Sequence, residues 1–304
     1  MNAPIRNILT VDVEDWIQSV YDNSAPLTEH FVRNTHTVLE HLAARGVHAT
    51  FFVLGLAAEK SPSLVRTIQD AGHEVQSHGY SHKLVHTQSP GAFRHDIEES
   101  KKLLEDIIGR AVVGYRAPAY SIGARNLWAL DVIAECGFEY DASLCPAVTP
   151  RYGMPGIPRT PHQLVTLRGR RLLELPVTTL SGLGRLWPAG GGGYARLWPV
   201  SLLRGAVRQM NALGAPSVFY MHPYEYNHGE LHELSTRIPL KTRLHQSLGR
   251  RCFRRRVDQL LQSVPFGTVA AWRDRAVDVR EFNIASLGLS SRPMVAARLV
   301  GADS

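Results

Sequence analysis

The chain has 304 residues, of which 44% are hydrophobic and 20% are charged, and its formal net charge is +7. This composition can bury a sizeable core and excludes a wholly disordered protein, and the length allows one large α/β domain. The basic excess favours contact with anionic polymers or an acidic membrane surface.

Predicted strands and helices alternate along the chain. Residues 8–11 are a short β-branched run that predicts a buried strand, and a helical stripe from Val32 to Leu42 follows it and ends at Gly46. Ser61 and Ser89 each precede a proline and predict the starts of the next two helices. The remaining predicted strands are 49–54, 73–77, 111–115, 172–177 and 217–221, and the remaining predicted helices are 126–136 and 199–213.

This alternation predicts parallel strands joined by helical crossovers, in either a (β/α) barrel or a doubly wound sheet. In both architectures functional groups lie at the C-terminal ends of the strands. Acids follow the first predicted strand, two histidines follow the third, Arg116 follows the fourth and His222 follows the last. All of these residues therefore fall where such a fold places a site.

Two segments carry weaker signals. Gly190 to Tyr194 (GGGGY) lie between two Trp-Pro pairs and lack the lysine of a phosphate-binding loop. Either a flexible loop that faces a substrate, with Tyr194 as a contact, or a plain connector accounts for this segment. The residues after position 275 have no clear pattern, so we predict one domain over 1–275 and a partly ordered tail over 276–304.

Two clusters carry the chemistry. The first is Asp12-Val13-Glu14-Asp15, and buried carboxylates are costly unless a cation or hydrogen bonds compensate, so this cluster is either a surface feature or a metal site. The second is SHGYSH, in which His78 and His82 are four residues apart and can meet one ion. Taken alone, this spacing in a chain with 14 histidines is more simply explained by surface or core histidines.

Together the clusters supply two imidazoles and a carboxylate, a ligand set that leaves positions open for water and substrate. A divalent ion held in this way, most often zinc, lowers the pKa of water to about 7 and polarises a carbonyl. Asp12 could then accept the water proton, Arg116 could fix that carboxylate, and His222 could protonate a leaving amine. The alternatives are a surface salt bridge for Arg116 and a hydrogen-bonding strand-end histidine for His222.

Six ordered motifs carry a resemblance to a known family. They are DVED, AGHEVQSHGYSH, GYRAPAY, FEYDASL, GGGYARLWP and FYMHPYEY, and they span roughly residues 8 to 272. In this order they resemble polysaccharide deacetylases of the NodB-homology superfamily, which are similar to carbohydrate esterase family four. The resemblance is greatest to the branch found with bacterial exopolysaccharide and exosortase systems.

The resemblance implies a single-domain distorted (β/α) barrel that holds a zinc-like ion between one acid, His78 and His82. It also implies that Asp12 is the general base, that Arg116 orients it and that His222 is the general acid. Two further positions are implied at the substrate side: Asp141 supports the site and Tyr120 lines the groove.

One departure concerns the acid that binds the metal. The commoner family pattern has two adjacent aspartates, whereas here the acids are separated as Asp12, Glu14 and Asp15. We favour Asp15 as the metal carboxylate because a strand end can turn it toward the ion. Glu14 is the alternative, because strand alternation puts it on the same face as Asp12.

The reaction expected from this resemblance is metal-dependent hydrolysis of N-acetyl groups on N-acetylhexosamine units of a polysaccharide or its precursor, with release of acetate. One alternative is an amidohydrolase that uses the same metal on a small non-sugar amide. The other is a catalytically inactive carbohydrate-binding protein, which predicts loss of the base, a metal histidine or the acid, yet these residues are present.

The remaining predictions concern partners and compartment. Five arginines between Arg250 and Arg256 surround a helical pattern, which is either a solvated helix face or a surface that docks on an anionic membrane. No recognition motif accompanies the charge, so we expect no nucleic-acid binding. The N-terminal apolar run of about six residues is too short for a secretory signal, and three dispersed cysteines fit reduced thiols, so we expect a cytoplasmic protein.

Overall fold

A computed structural model describes residues 5–234, 238–275 and 278–288. The strands are β1 (Asn7–Val13), β2 (Thr50–Val53), β3 (Glu74–Ser77), β4 (Gly114–Tyr115), β5 (Tyr140–Asp141), β6 (His162–Val165), β7 (Arg171–Glu174), β8 (Thr179–Gly182), β9 (Arg185–Pro188), β10 (Val218–Met221), β11 (Phe266–Gly267) and β12 (Glu281–Asn283). The helices are α1 (His30–Arg45), α2 (Gly55–Lys60), α3 (Pro62–Asp70), α4 (Pro90–Ile108), α5 (Trp128–Glu135), α6 (Gly192–Leu197), α7 (Val200–Ala212), α8 (Glu230–Glu233), α9 (Leu240–Ser247), α10 (Arg250–Leu261) and α11 (Val269–Arg273).

One large sheet organises the protein. Its strand order is β10-β1-β2-β3-β4-β5-β7-β6-β12, and β11 pairs with the start of β1. All of these ladders are parallel except the one between β6 and β7. Parallel pairing of β10, β1, β2, β3, β4 and β5 brings the C-terminal ends of six strands to one edge. The residues that follow those strands can therefore meet.

Backbone hydrogen bonds join β10, at one end of the sheet, to the segments that follow β7 and β9. Thr178 follows β7, and its N–H donates to the carbonyl of Val218 on β10 (3.2 Å), while Tyr220 donates to the carbonyl of Gly190 (2.6 Å). Gly191 has a φ of +147°, and a Cβ there would lie 1.9 Å from the Tyr220 carbonyl oxygen, so only glycine allows this approach. The described residues thus form a distorted (β/α) barrel, as expected.

Strand alternation separates an outer and an inner layer. Leu9, Val11 and Val13 of β1 pack in the large core together with the surrounding helices. The intervening residues point into the barrel, where Ile8 joins a smaller apolar cluster and the polar side chains of later positions follow toward the open end. The two-residue period therefore determines which of the β1 acids face the interior.

The residues predicted to begin and end the helices were compared with the observed helix caps at α1, α3 and α4. The Ser89 hydroxyl accepts a hydrogen bond from Ala92 at the start of α4 (3.2 Å), and Gly46 and Gly109 end α1 and α4 in the left-handed conformation. Ser61 is the N-cap residue of α3, as predicted, although its side chain makes no capping hydrogen bond. Pro62 nevertheless begins the helix.

Part of the segment predicted as a tail belongs to the fold. β12 pairs in parallel with β6, and Ile284 directly after it is fully buried. The rest of that segment, residues 276–277 and 289–304, lies outside the described residues, and the domain boundary at residue 275 stays a prediction. Among the residues that the structure describes, every helix is too short or too polar to cross a membrane.

Candidate active site

Glu14 lies between the two histidines of the SHGYSH motif. Its Oε1 atom is 2.8 Å from Nε2 of His78 and 3.1 Å from Nε2 of His82, and all three side chains are buried. Burial acts to raise the pKa of Glu14, but His82 and His222 and the hydrogen bonds from both motif histidines hold that pKa well below its usual value. Glu14 is therefore a carboxylate at neutral pH.

The histidines are held by the loop that follows β3. The backbone N–H of Tyr80 donates to Asp96 of α4 (2.8 Å), and the Ser81 hydroxyl donates to the same carboxylate (2.6 Å). Gly79 and His82 have left-handed φ values of +78° and +58°, which turn the loop back over the strand end. The chain thus returns after four residues and presents both imidazoles to one point.

The three side chains fit a metal ion. Their ligand atoms lie within 4.8 Å of one another. His78 has its Nδ1 atom 2.8 Å from the Arg116 carbonyl oxygen, so Nδ1 carries the proton and donates it. This contact leaves Nε2 as the nitrogen that faces the Glu14 carboxylate, and with a cation between them that nitrogen would supply a lone pair as a ligand. Glu14, His78 and His82 could therefore hold a divalent ion.

The structure corrects the preference for Asp15 as the metal carboxylate. Its Oδ1 atom accepts the backbone N–H of Ile17 (3.0 Å), and its Oδ2 atom accepts both the N–H and the hydroxyl of Thr28 (N–H at 2.9 Å). Strand alternation continues one residue beyond β1, so Asp15 faces away from Glu14. It fixes the loop after β1 and does not face the histidines.

Arg116 forms a fully buried ion pair with Asp12. Its Nη1 atom donates to Asp12 Oδ1 (2.8 Å) and to the Thr10 hydroxyl (2.6 Å), and its Nε donates to the carbonyl of Ala142 (3.1 Å). The guanidinium also lies over the Phe52 ring, 4.3 Å from its centroid. These contacts fix the orientation of Asp12 and supply its counter-charge. The alternative of a surface salt bridge is wrong, because neither side chain is exposed.

His222 approaches both acids from the end of β10. Its Nε2 atom lies 4.0 Å from Asp12 Oδ2 and 3.9 Å from Glu14 Oε1, and its ring stacks on Tyr224 with centroids 4.8 Å apart. Burial acts to lower the pKa of His222, but Glu14, Glu225 and Asp12 raise it to about 9. This imidazole can thus carry a proton beside a carboxylate that can accept one.

The predicted substrate contacts lie in different surroundings. Tyr120 is buried beneath the site, with its ring 5.1 Å from that of Tyr220 and 5.7 Å from the Arg116 guanidinium. Asp141 is fully buried and accepts the Ser143 hydroxyl. Tyr194 is half-buried in α6 and packs on Trp198 with centroids 6.5 Å apart. Their roles toward a substrate stay predictions.

The glycine-rich segment forms part of the barrel wall. Its backbone pairs with β10 through Gly190 and Gly191, and the helix α6 begins at Gly192. Of the two alternatives for this segment, the paired backbone fits a connector between β9 and α6.

Sequence reasoning missed two carboxylates near the site. Glu225 accepts the backbone N–H of His222 (3.0 Å), and its signal in the sequence is an acid three residues after the histidine of a His-Pro pair. Glu174 at the end of β7 is fully buried next to Asp141 across the β5–β7 ladder. Burial raises the pKa of both Asp141 and Glu174. Neither residue's position could be read from spacing.

Two family models match consecutive parts of the chain. Residues 14–140 match the model described as polysaccharide deacetylase, and residues 142–273 match a domain of unknown function, DUF3473. The first match includes Glu14, both motif histidines and Arg116, whereas His222 and Glu225 fall in the second.

Curated relatives are similar over the first part. A peptidoglycan-N-acetylglucosamine deacetylase of Bacillus cereus is 34% identical over 98 residues, which are 32% of this chain and 36% of that protein. A chitooligosaccharide deacetylase of Azorhizobium caulinodans is 33% identical over 106 residues, 34% of this chain and 49% of that protein. The chain therefore spans half or less of the length of these relatives.

Solved structures resemble the whole fold. A crystal structure from Mycobacterium smegmatis, assigned as a polysaccharide deacetylase, has a TM-score of 0.60 at 22% identity and covers 93% of this chain and 96% of that chain. A structure from Pseudomonas aeruginosa with the same assignment has a TM-score of 0.54 at 16% identity and covers 84% and 83%. At these identities the likeness shows a shared fold alone.

Proposed function

We propose that this protein hydrolyses N-acetyl groups on N-acetylhexosamine units of a polysaccharide or its precursor and releases acetate, because residues 14–140 match the polysaccharide deacetylase model. One observation carries the proposal: Asp12, Glu14, His78, His82 and His222 converge at the open end of the barrel, within hydrogen-bonding or ion-pair distance of one another. The names of the similar curated proteins support the acetylated sugar as substrate class.

The ligand set proposed for the metal is Glu14, His78 and His82, and zinc is the ion that we favour. Two imidazole nitrogens and one carboxylate oxygen suit zinc and leave positions open. A bound ion of this kind polarises the acetamido carbonyl and acidifies water. The support for this assignment is the donor set itself and the carbonyl that fixes the tautomer of His78.

The other residues move protons. Asp12, fixed by Arg116, accepts a proton from the attacking water, and His222 donates a proton to the amine nitrogen as the C–N bond breaks. Each transfer typically contributes a factor of about 10² to 10⁴ in rate. The position of His222 fits this role, because its Nε2 atom faces Asp12 at the open end of the barrel.

Acetate release tests the reaction. The wild-type protein, loaded with zinc, is incubated with chitin oligomers and, in parallel, with small non-sugar amides. We expect acetate from the oligomers and a loss of at least about 100-fold in kcat for D12N and H222Q. A protein that binds metal stoichiometrically and releases no acetate from any acetylated glycan is a binding protein, and turnover of small amides alone favours the amidohydrolase alternative.

The finer substrate proposal is an exopolysaccharide or its precursor. Its support is the six-motif pattern, whose later part includes GGGYARLWP and FYMHPYEY and falls within residues 142–273. Deacetylation of a partly acetylated exopolysaccharide, compared with peptidoglycan fragments and chitin oligomers at equal acetyl concentration, tests this choice. A higher kcat/KM for either of the other two would contradict it.

We also propose that the surface of α9 and α10 contacts an anionic membrane. Leu240, Leu244 and Leu248 recur every four residues with exposures of 63%, 61% and 53%. No acid occurs between residues 239 and 257, and Arg251, Arg254 and Arg255 are exposed on α10. Apolar side chains beside basic ones suit an interface of anionic lipid, where each basic residue contributes about 1 kcal/mol. The cytoplasmic location stays a prediction.

Vesicle binding tests this surface. The triple variant R251E/R254E/R255E should lose binding to vesicles that contain phosphatidylserine, whereas a control with R66E/R110E/R125E, which changes the net charge equally, should retain it. Equal binding by the wild type and the first variant would remove the proposal. Equal loss in both variants would assign the effect to net charge alone.

A further inference from the structure

We propose that Glu225, held by Arg196, is the positioning residue for His222, so that the segment matched by the domain of unknown function completes the active site. The inference rests on the proposed function, because it concerns the same general acid. It assigns a task to residues 142–273 that the family match leaves open.

The Glu225 carboxylate contacts His222 at its backbone N–H and at its ring. Its Oε2 atom accepts the backbone N–H of His222 (3.0 Å) and lies 3.2 Å from Nδ1 of the same residue. Pro223 begins a single 3₁₀ turn that brings position 225 back over position 222. A carboxylate beside Nδ1 favours the proton on that nitrogen and directs Nε2 toward Asp12 and Glu14. The imidazole is thus aimed at the place where the leaving amine would lie.

Arg196 holds the other oxygen of Glu225. Its Nε atom is 3.1 Å from Glu225 Oε1, and its Nη1 atom donates to the carbonyl of Gln246 (2.7 Å). Both charged side chains are buried, and the arginine adds an ion pair to the charge compensation that His222 gives Glu225. Gly249 fixes this approach, because a Cβ there would lie 2.2 Å from the Arg196 carbonyl oxygen. This arginine of α6 therefore lies between the turn after β10 and the segment that joins α9 to α10.

Two buried carboxylate–arginine pairs flank the site. On the base side, Arg116 supplies the counter-charge of Asp12, and on the acid side Arg196 supplies that of Glu225. The proposed base, Asp12, is thus paired with a cationic side chain, and the proposed acid, His222, is paired with an anionic one.

Two substrates separate a positioning role from a structural one. Hydrolysis of an N-acetylated oligosaccharide needs a proton for the amine, whereas 4-nitrophenyl acetate has a leaving group that departs without one. We expect E225L to lower kcat on the oligosaccharide about 10- to 100-fold with KM within about twofold, and E225Q, which keeps an acceptor without charge, to lose less. Hydrolysis of 4-nitrophenyl acetate and zinc content should stay near wild type.

A matched control comes from the same region. Glu230 is equally buried and pairs with Arg250 (3.0 Å) and Asn34 (3.1 Å), but it does not contact His222. E230Q should keep the oligosaccharide kcat within about twofold of wild type. On the arginine side, R196K should retain most of the activity that R196M loses. Equal losses on both substrates in E225L, or wild-type activity on both, would overturn the inference.

A spectroscopic readout keeps the inference separate from the proposed function. If the wild type hydrolyses no acetylated glycan, the proposed function fails, but the imidazole ¹⁵N shifts of His222 in the zinc-loaded protein still test the contact. We expect a protonated Nδ1 in the wild type and loss of that signal in E225L, with assignment from H222Q. The same ¹⁵N shifts in wild type and E225L would show that Glu225 does not position the ring.

Discussion

Replacing Arg116 by methionine removes the charge on which the base side of the site depends. The side chain is fully buried and donates to Asp12, Thr10 and the carbonyl of Ala142. In R116M these acceptors lose their donor, and Asp12 keeps a carboxylate that is only 2% exposed. Removal of one partner from a buried ion pair costs about 3–5 kcal/mol, which is a large share of the about 5–15 kcal/mol that stabilises a typical domain.

A double-mutant cycle isolates the ion pair from packing. The free energy of unfolding is measured by urea titration of wild type, R116M, D12N and the double variant, in EDTA so that metal binding contributes nothing. We expect the double variant to be less destabilised than the sum of the single ones, with a coupling of about 2 kcal/mol. R110M, at an exposed position, is the control and should stay within about 0.5 kcal/mol of wild type.

The result that would refute this reasoning is a loss below about 1 kcal/mol in R116M. Strict additivity of the two substitutions would refute it equally, because independent side chains show no coupling. In either case Asp12 would have another source of charge compensation.

Three further predictions follow from individual residues. E14Q should bind zinc at least about tenfold more weakly than wild type, whereas D15N should keep it, as measured by metal content after dialysis; retention by E14Q and loss by D15N would reverse the assignment. Burial, and then the nearby His48, lower the pKa of His73 to about 4. As the pH falls from about 6.5 to 4, the unfolded state therefore binds a proton that the folded state does not, and the free energy of unfolding should decrease over that window. In urea titrations the free energy of unfolding of H73Q should decrease less than that of the wild type, and parallel curves for the two proteins would contradict this. In the same titrations G191A should lose at least about 2 kcal/mol of unfolding free energy, because its Cβ would meet a backbone carbonyl of β10. G205A, in open space on α7, should gain up to about 1 kcal/mol, and equal effects of the two substitutions would contradict the close approach at Gly191.

The sequence predicted the central strands and the convergence of the site because both follow from short-range periodicity. Apolar runs predicted β1, β2 and β10, and the segment directly after Gly72 was predicted as β3; all four lie within about two residues of the observed ends. Since these strands are parallel, the side chains that follow them meet at one edge, and Asp12, His78, His82, Arg116 and His222 do meet. The order of the strands was enough to predict that these side chains meet, without any distance between them.

The preference for Asp15 over Glu14 as the metal carboxylate depended on where the chain turns after β1. The expectation allowed the strand end to turn Asp15 toward the ion, but the alternation of β1 persists through residue 14, and the turn begins only at Trp16 and Ile17. Thr28, thirteen residues later, then captures Asp15. A partner at that separation leaves no periodic signal.

The residues that sequence reasoning missed depend on tertiary contacts. Glu225 and Arg196 are 29 positions apart and meet only because α6 and the turn after β10 pack together. Likewise, β5 has two residues, and β12 gains its partner β6 from more than a hundred residues earlier. Elements this short are specified by their neighbours in the barrel and carry little pattern of their own.

An anomalous-diffraction crystal structure of the zinc-loaded protein tests the central claim most directly. We expect one anomalous peak at the zinc edge, about 2.0–2.2 Å from a Glu14 carboxylate oxygen and from Nε2 of both His78 and His82, with His222 facing it. A peak coordinated by Asp15, or one located away from these imidazoles, would contradict the account.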